Sequence, residues 1–199
     1  MQTFDELVGE HLQLKGSMKK AYLDIETNYV GPYSDERLFR DYKNHQLVVI
    51  GIRTVTSSHD SFVQLIDKDA TKSNLLSALK GVECIVTYNG RSFPDRIHRR
   101  VGFDFPVISA QLGLTLDEKF EHVDLVPVCW QAGLYGGQKK VEEMLGLMRE
   151  LPGKDGAWAN QAWKNYLKTG KKTILDELLA YNREDVFMLQ RIEQKLCKS

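Results

Sequence analysis

Carboxylates recur at three well-separated places in this chain, each at the edge of an apolar stretch. The segments are Tyr22-Leu23-Asp24-Ile25-Glu26-Thr27, Val86-Thr87-Tyr88-Asn89-Gly90-Arg91-Ser92-Phe93-Pro94-Asp95 and Tyr181-Asn182-Arg183-Glu184-Asp185. Acids that converge in a fold make sites for hard divalent cations, which prefer oxygen ligands. A pair of such ions can activate water and stabilise the leaving oxygen in phosphodiester hydrolysis. A bare D-x-E is weak on its own, because most such pairs lie on a solvated strand face. Here Asp24 and Glu26, two apart on a strand, share one face, while Leu23 and Ile25 point the other way into the core. With Thr27 ending the strand, both acids lie near its C-terminal end, where open α/β sheets commonly bind ligands.

The third segment reads as helix. Tyr181 and Asp185 are four apart and lie on one face, whereas Glu184 is rotated by about 100° from Asp185. Val186 and Leu189 put Asp185 at the edge of the apolar stripe, where a half-buried carboxylate can reach a metal. The competing reading makes Tyr181 a core aromatic and Asp185 a solvated acid.

The elements that must position these groups alternate between strand and helix. Ala21 to Ile25, Gln46 to Val55 and Ser61 to Ile66 read as strands, the last two joined as a hairpin through Thr56-Ser57-Ser58-His59-Asp60. Leu75, Leu76 and Leu79 mark a helix that stops at Gly81. Val82 to Tyr88 reads as a buried strand closed by the Asn89-Gly90 turn signal. A helix is expected from near Pro94 to before Gly102. Val123 to Gln131, Lys139 to Leu145 and Trp158 to Leu167 read as helices, and a last one, with room for a bend, spans about Thr173 to Leu196. One α/β domain over residues 20–199, preceded by an N-terminal extension over residues 1–19, accounts for the pattern.

Composition narrows the options. A chain of 199 residues suffices for one domain with a substantial core. Its 27 basic and 27 acidic residues cancel, so any nucleic-acid contact must come from a local patch. Cys84, Cys129 and Cys197 are far apart and odd in number, which suits reduced thiols in a cytoplasmic protein. No apolar run approaches membrane-spanning length, and no signal-peptide pattern opens the chain. No phosphate-binding loop or dinucleotide fingerprint occurs.

Together the three segments resemble the DEDD (DnaQ-like) 3′–5′ exonuclease superfamily, which has the RNase H-like fold. The D-x-E matches its first motif. Tyr181 and Asp185 match the third motif of its tyrosine-containing subclass, and Tyr88-Asn89-Gly90…Phe93 resembles the second. The likeness is closest to the YprB-like branch, which also carries an acidic-Leu segment (Val123-Asp124-Leu125). A Glu…Leu-Gly…Arg…Leu-Pro-Gly stretch (Glu142 to Gly153) and a Trp…Tyr…Gly segment (Trp163 to Gly170) follow in that branch as they do here. The resemblance implies a mixed β-sheet flanked by α-helices. It implies two divalent cations, Mg²⁺ or Mn²⁺, held by Asp24, Glu26, Asp185 and an acid of the second motif. Tyr181 would orient the attacking water. Asn89 and Phe93 would contact the terminal nucleotide of a nucleic-acid substrate, DNA or RNA, with a single-stranded 3′ end. A nonhydrolytic nucleic-acid-binding domain and an RNase H-type endonuclease are the alternatives.

The second motif departs from the family pattern. Asp usually follows Phe directly, but Pro94 stands there and Asp95 comes next. Asp95 is either the missing ligand or the last member of a capping box that starts at Ser92, with Pro94 suited to the first helical turn. Arg96, Arg99 and Arg100, with His98, form the densest basic cluster; it either grips phosphates or is a solvated helix face. His122 finds no further histidine at ligand spacing. Asp124 reads as an acid supporting a ligand or as a helix N-terminal residue. Trp130, Trp158 and Trp163 read as core.

Overall fold

The computed structural model describes residues 18–31, 36–91 and 102–197. Its centre is a mixed five-stranded sheet. The strands are β1 (Lys20–Tyr29), β2 (His45–Val55), β3 (Asp60–Ile66), β4 (Cys84–Thr87) and β5 (Glu121–Asp124). Their order is β3-β2-β1-β4-β5. The β2–β3 hairpin and the β1–β2 pair are antiparallel, whereas β4 runs parallel to both β1 and β5. Among the described residues seven helices flank the sheet: α1 (Glu36–Arg40), α2 (Lys72–Ala78), α3 (Asp104–Leu112), α4 (Leu125–Gln131), α5 (Gln138–Met144), α6 (Gly156–Thr169) and α7 (Lys172–Leu196).

Strand alternation sorts β1 into two faces. Ala21, Leu23 and Ile25 pack with Leu75, Leu79, Phe105, Val107 and Ile108 under α2 and α3. Tyr22 faces the other way and packs with Val128, Val186, Leu189 and Ile192 from α4 and α7. Burying each large apolar side chain contributes about 1.5–3 kcal/mol, which offsets the cost of the acids that share the second face.

Several expectations change at this level. β1 does not stop at Thr27. It shifts register between Glu26 and Thr27 and continues beside β2 to Tyr29, because a bulge absorbs one residue without ending the ladder. Residues Glu121 to Asp124, partly expected as helix, form the edge strand β5. So short a segment has little periodicity of its own, and its strand character comes from pairing with β4. α3 was not expected at all; Pro106 is tolerated in its first turn, where its missing N–H has no partner to lose. The helix expected from Pro94 lies outside the described residues, as do most of the N-terminal extension and the cluster Arg96 to Arg100. α7 is one unbroken helix.

Candidate metal centre

Asp24 and Glu26 project from β1 past the point where its pairing with β4 ends at Tyr22–Val86. Facing them, α7 supplies Asp185. Each of the three acids offers a carboxylate oxygen, and these oxygens lie within 4.8 Å of one another. Glu26 and Asp185 are buried and Asp24 is partly exposed. All three line a cavity of about 810 Å³ whose wall also includes Tyr181, Asn89 and Asp104. Only the Asp185 face of α7 turns inward. Glu184 instead accepts from the backbone N–H of Glu150 at 2.5 Å and of Leu151 at 3.3 Å.

Asp104 reaches this cavity through a tight clamp. The Asp124 carboxylate caps α4 by accepting from Val126 N at 3.0 Å. It also accepts from Asn89 N at 2.9 Å and Arg91 N at 3.2 Å, so it holds the turn after β4. Asn89 has φ +67° there. Gly90 N donates to Thr87 Oγ1 at 3.2 Å, and a Cβ on Gly90 would lie 2.2 Å from that oxygen; this contact requires glycine. The carbonyls of Asn89 and Gly90 then accept from Phe103 N at 2.8 Å and Phe105 N at 2.9 Å. The chain thus leaves after Gly90 and returns beside it, with Asp104 held between two anchored residues at the start of α3.

Two cations balance the acids. Lys139 Nζ donates to the Tyr181 hydroxyl at 2.6 Å and lies 4.6 Å from the ring centroid. Arg149, nearly buried, donates through Nε to Glu142 Oε2 at 2.5 Å and through Nη2 to Glu142 Oε1 at 2.7 Å. Its Nη2 also donates to Asp185 Oδ1, and Nη1 lies 3.6 Å from Glu184. Gln138 Nε2 bridges Glu142 Oε1 and the Asp185 carbonyl, each at 3.0 Å.

A family model described as the RNase H superfamily matches residues 21–197, which is most of the chain. The chain belongs to the RNase H superfamily. No curated protein matches it. The match covers every element of the sheet and the helix that carries Asp185. RNase H-like nucleases use divalent metals, and the oxygen-only donor set here fits hard cations of that kind.

Electrostatics point the same way. Burial raises the Asp24 carboxyl well above the usual range; the charges of Asp185, Glu26 and Asp104 add to this and Lys139 opposes it. Burial and Asp185 raise Glu26 likewise. Asp185 is raised by burial against the pull of Arg149 and Lys139. Asp104 is raised by burial and by Asp124. Because the folded state holds these protons more tightly than the unfolded chain, metal-free stability is full below the ordinary carboxylate range. It falls as pH rises through the raised folded values. A bound cation reverses the loss, and protons compete with it. The thermal shift on adding Mn²⁺ is therefore expected to be larger near about pH 8 than near about pH 5. At a hundredfold excess over Kd the stabilisation is about 2.7 kcal/mol, or roughly 5–10 °C for a domain of this size. Melts in chelator and in MnCl₂ at both pH values check this; a shift independent of pH would count against carboxylate binding.

Of the site residues expected from sequence, Asp24, Glu26, Tyr181, Asp185 and Asn89 share the cavity wall. Asp95, Phe93, Arg96, Arg99 and Arg100 lie outside the described residues. Asp104 was missed. Its signal was the Phe-Asp order itself, which Phe103-Asp104 has and Phe93-Pro94 lacks. His122 is structural: its Nε2 lies 2.9 Å from Thr87 Oγ1 and its ring packs on Phe105. Trp163 is buried as expected.

Proposed function

We propose that this protein is a metal-dependent 3′–5′ exonuclease of the tyrosine-containing DEDD type, closest to the YprB-like branch, acting on a single-stranded 3′ end of DNA or RNA. The observation that carries the reading is the placement of Tyr181 and Asp185 in one cavity with Asp24 and Glu26. Asp24, Glu26, Asp185 and Asp104 would hold two divalent cations, Mg²⁺ or Mn²⁺, which when bound supply Lewis-acid stabilisation of phosphate charge and a water of lowered pKa.

The protein's own groups do the positioning. A lysine ammonium only donates, so the Tyr181 oxygen accepts from Lys139 while its proton is shared with the Asp185 carboxylate. The phenol oxygen's remaining lone pair would accept from a water and orient it for in-line attack. Trp158 packs edge-on against the Tyr181 ring, with centroids 5.5 Å apart, and limits its swing. Asn89 stands in the cavity wall, and it would contact the terminal nucleotide.

Asp104, rather than Asp95, is assigned the second-motif carboxylate, because the hydrogen-bonded return of Phe103 and Phe105 to the Asn89-Gly90 turn delivers it to the cavity. Asp104→Asn is expected to lower the cleavage rate by about 10–100-fold, at least the cost of losing a group that supports a metal ligand. Asp95→Asn is expected to lower it far less. Single-turnover rates of both variants decide the assignment, and the opposite pattern restores Asp95.

The reading as a whole is tested with 5′-labelled single-stranded and duplex DNA and RNA, in Mg²⁺, Mn²⁺ or chelator. Stepwise shortening from the 3′ end that stops in chelator supports it. Internal cleavage of a substrate with a blocked 3′ end indicates an endonuclease, and binding without turnover indicates a nonhydrolytic domain.

A further inference from the structure

On the sheet face that carries the acids, Asp24, Gly51 and Gln64 are register neighbours on β1, β2 and β3. The glycine leaves a gap in this row, and Asn182 of α7 fills it. A Cβ on Gly51 would lie 2.3 Å from Asn182 Oδ1 and 2.8 Å from Val186 Cγ2. Asn182 is completely buried. Its Nδ2 donates to Asp24 Oδ2 at 3.0 Å and to the Asp24 carbonyl at 3.3 Å. Its Oδ1 accepts from Gln64 Nε2 at 2.9 Å, and the same Nε2 donates to the Leu179 carbonyl at 2.8 Å.

The direction of this chain of bonds is determined by one group. A main-chain carbonyl can only accept, so Gln64 must turn its NH₂ toward Leu179. That NH₂ cannot accept, so Asn182 must turn its oxygen toward Gln64. Asn182 is then left with its own NH₂ facing Asp24. Each amide is oriented by the one before it, and the first is oriented by backbone.

We propose that Gln64 and Asn182 are positioning residues for Asp24 as a metal ligand, with the Leu179 carbonyl setting the donor sense of the relay and Gly51 making room for it. The inference rests on the reading that these acids hold a divalent cation. A carboxylate tied at one oxygen presents a preset plane to an incoming ion, and partners that orient a ligand this way are typically worth about 10–100-fold in metal affinity.

A purely structural role for Gln64 makes the opposite forecast under one substitution. Gln64→Glu removes the NH₂, so Asn182 must rotate to donate to the new carboxylate, and its oxygen then meets the Asp24 carboxylate. The same change adds a negative charge near the site, which by Coulomb attraction alone would tighten cation binding. The relay therefore forecasts weaker binding and simple charge forecasts tighter binding. Gln64→Met keeps the volume, adds no charge and releases Asn182 from its enforced orientation.

The experiment is calorimetric titration of Mn²⁺ into the full chain after chelator treatment, for wild type, Gln64→Glu and Gln64→Met, with folding checked by circular dichroism. Mn²⁺ binding should weaken by about tenfold or more in Gln64→Glu, the lower end of the range for such partners, and by a smaller factor in Gln64→Met. Should the glutamate variant fail to fold, the methionine variant decides alone. Unchanged or tighter Mn²⁺ binding in the folded variants overturns the relay, and so does a wild type that binds no Mn²⁺. Cleavage of labelled nucleic acid by the wild type, assayed in parallel, separates this from the proposed function. Weakened Mn²⁺ binding without any wild-type cleavage leaves the relay standing and removes the exonuclease; cleavage with unaltered Mn²⁺ binding in the variants does the reverse.

Discussion

Asp24→Asn is expected to lower the hydrolytic rate by at least about 100-fold, the upper end of what a group merely supporting a ligand is worth, while the protein stays folded. Asp24 sits at the meeting point of the cluster: its carboxyl is within electrostatic reach of Asp185, Glu26 and Asp104, and it accepts from the Asn182 amide at 3.0 Å. Asparagine keeps the shape and removes both the charge and one strong oxygen ligand. The melting temperature in chelator should rise rather than fall, because a carboxylate repelled by its acidic neighbours has been made neutral. Rates with Mn²⁺ and melts with chelator on the same preparation check both halves. Full activity in this variant would remove Asp24 from the mechanism. A lowered melting temperature with weak activity would point to misfolding instead.

Arg149→Met should be the most destabilising single change. The guanidinium is 8% exposed and faces Glu142, Glu184 and Asp185, with side-chain exposures of 1%, 10% and 9%. Removing the cation strands these acids in a poorly solvated place. Breaking a buried pair from one side typically costs about 3–5 kcal/mol, or roughly 6–20 °C in melting temperature for a domain of this length. Arg149→Lys should recover little, because one ammonium cannot reproduce the fork that spans Glu142 and Asp185. Urea unfolding in chelator measures the loss; a change under about 1 kcal/mol, as for an exposed pair, would show that water reaches the network. The Glu142 to Gly153 stretch, read from sequence as a run of matching residues, thus has a physical role, since it brings a cation from after α5 to the acid on α7.

How much of this was legible in the chain depended on whether the signal was local. Alternation along Tyr22-Leu23-Asp24-Ile25-Glu26 was enough to place both acids on one face and Leu23 and Ile25 on the other, since side-chain direction in a strand follows from backbone geometry alone. The same holds for Tyr181 and Asp185 at helical spacing and for the exclusion of Glu184. The β2–β3 hairpin followed from its polar turn. The mixed sheet followed from the order of elements together with a family likeness that the superfamily match supports.

Other features depended on partners distant in sequence. β5 is a strand because β4 lies beside it, and its four residues hold no period long enough to announce that. Asp104 joins the cavity because Phe103 and Phe105 hydrogen-bond back to Asn89 and Gly90, a closure that no local pattern expresses. Lys139 read only as the start of a helix until folding set its ammonium on Tyr181. Gly51 sits inside a strand expected from sequence, but only the fold lays Asn182 of α7 across it. Which residue types could do chemistry, and on which face of their own element, was determined by the sequence through covalent geometry and period. Which of them meet, and which backbone group orients them, was decided by the tertiary structure, because hydrogen bonds and charges act over a few ångströms between residues that the chain separates by dozens of positions.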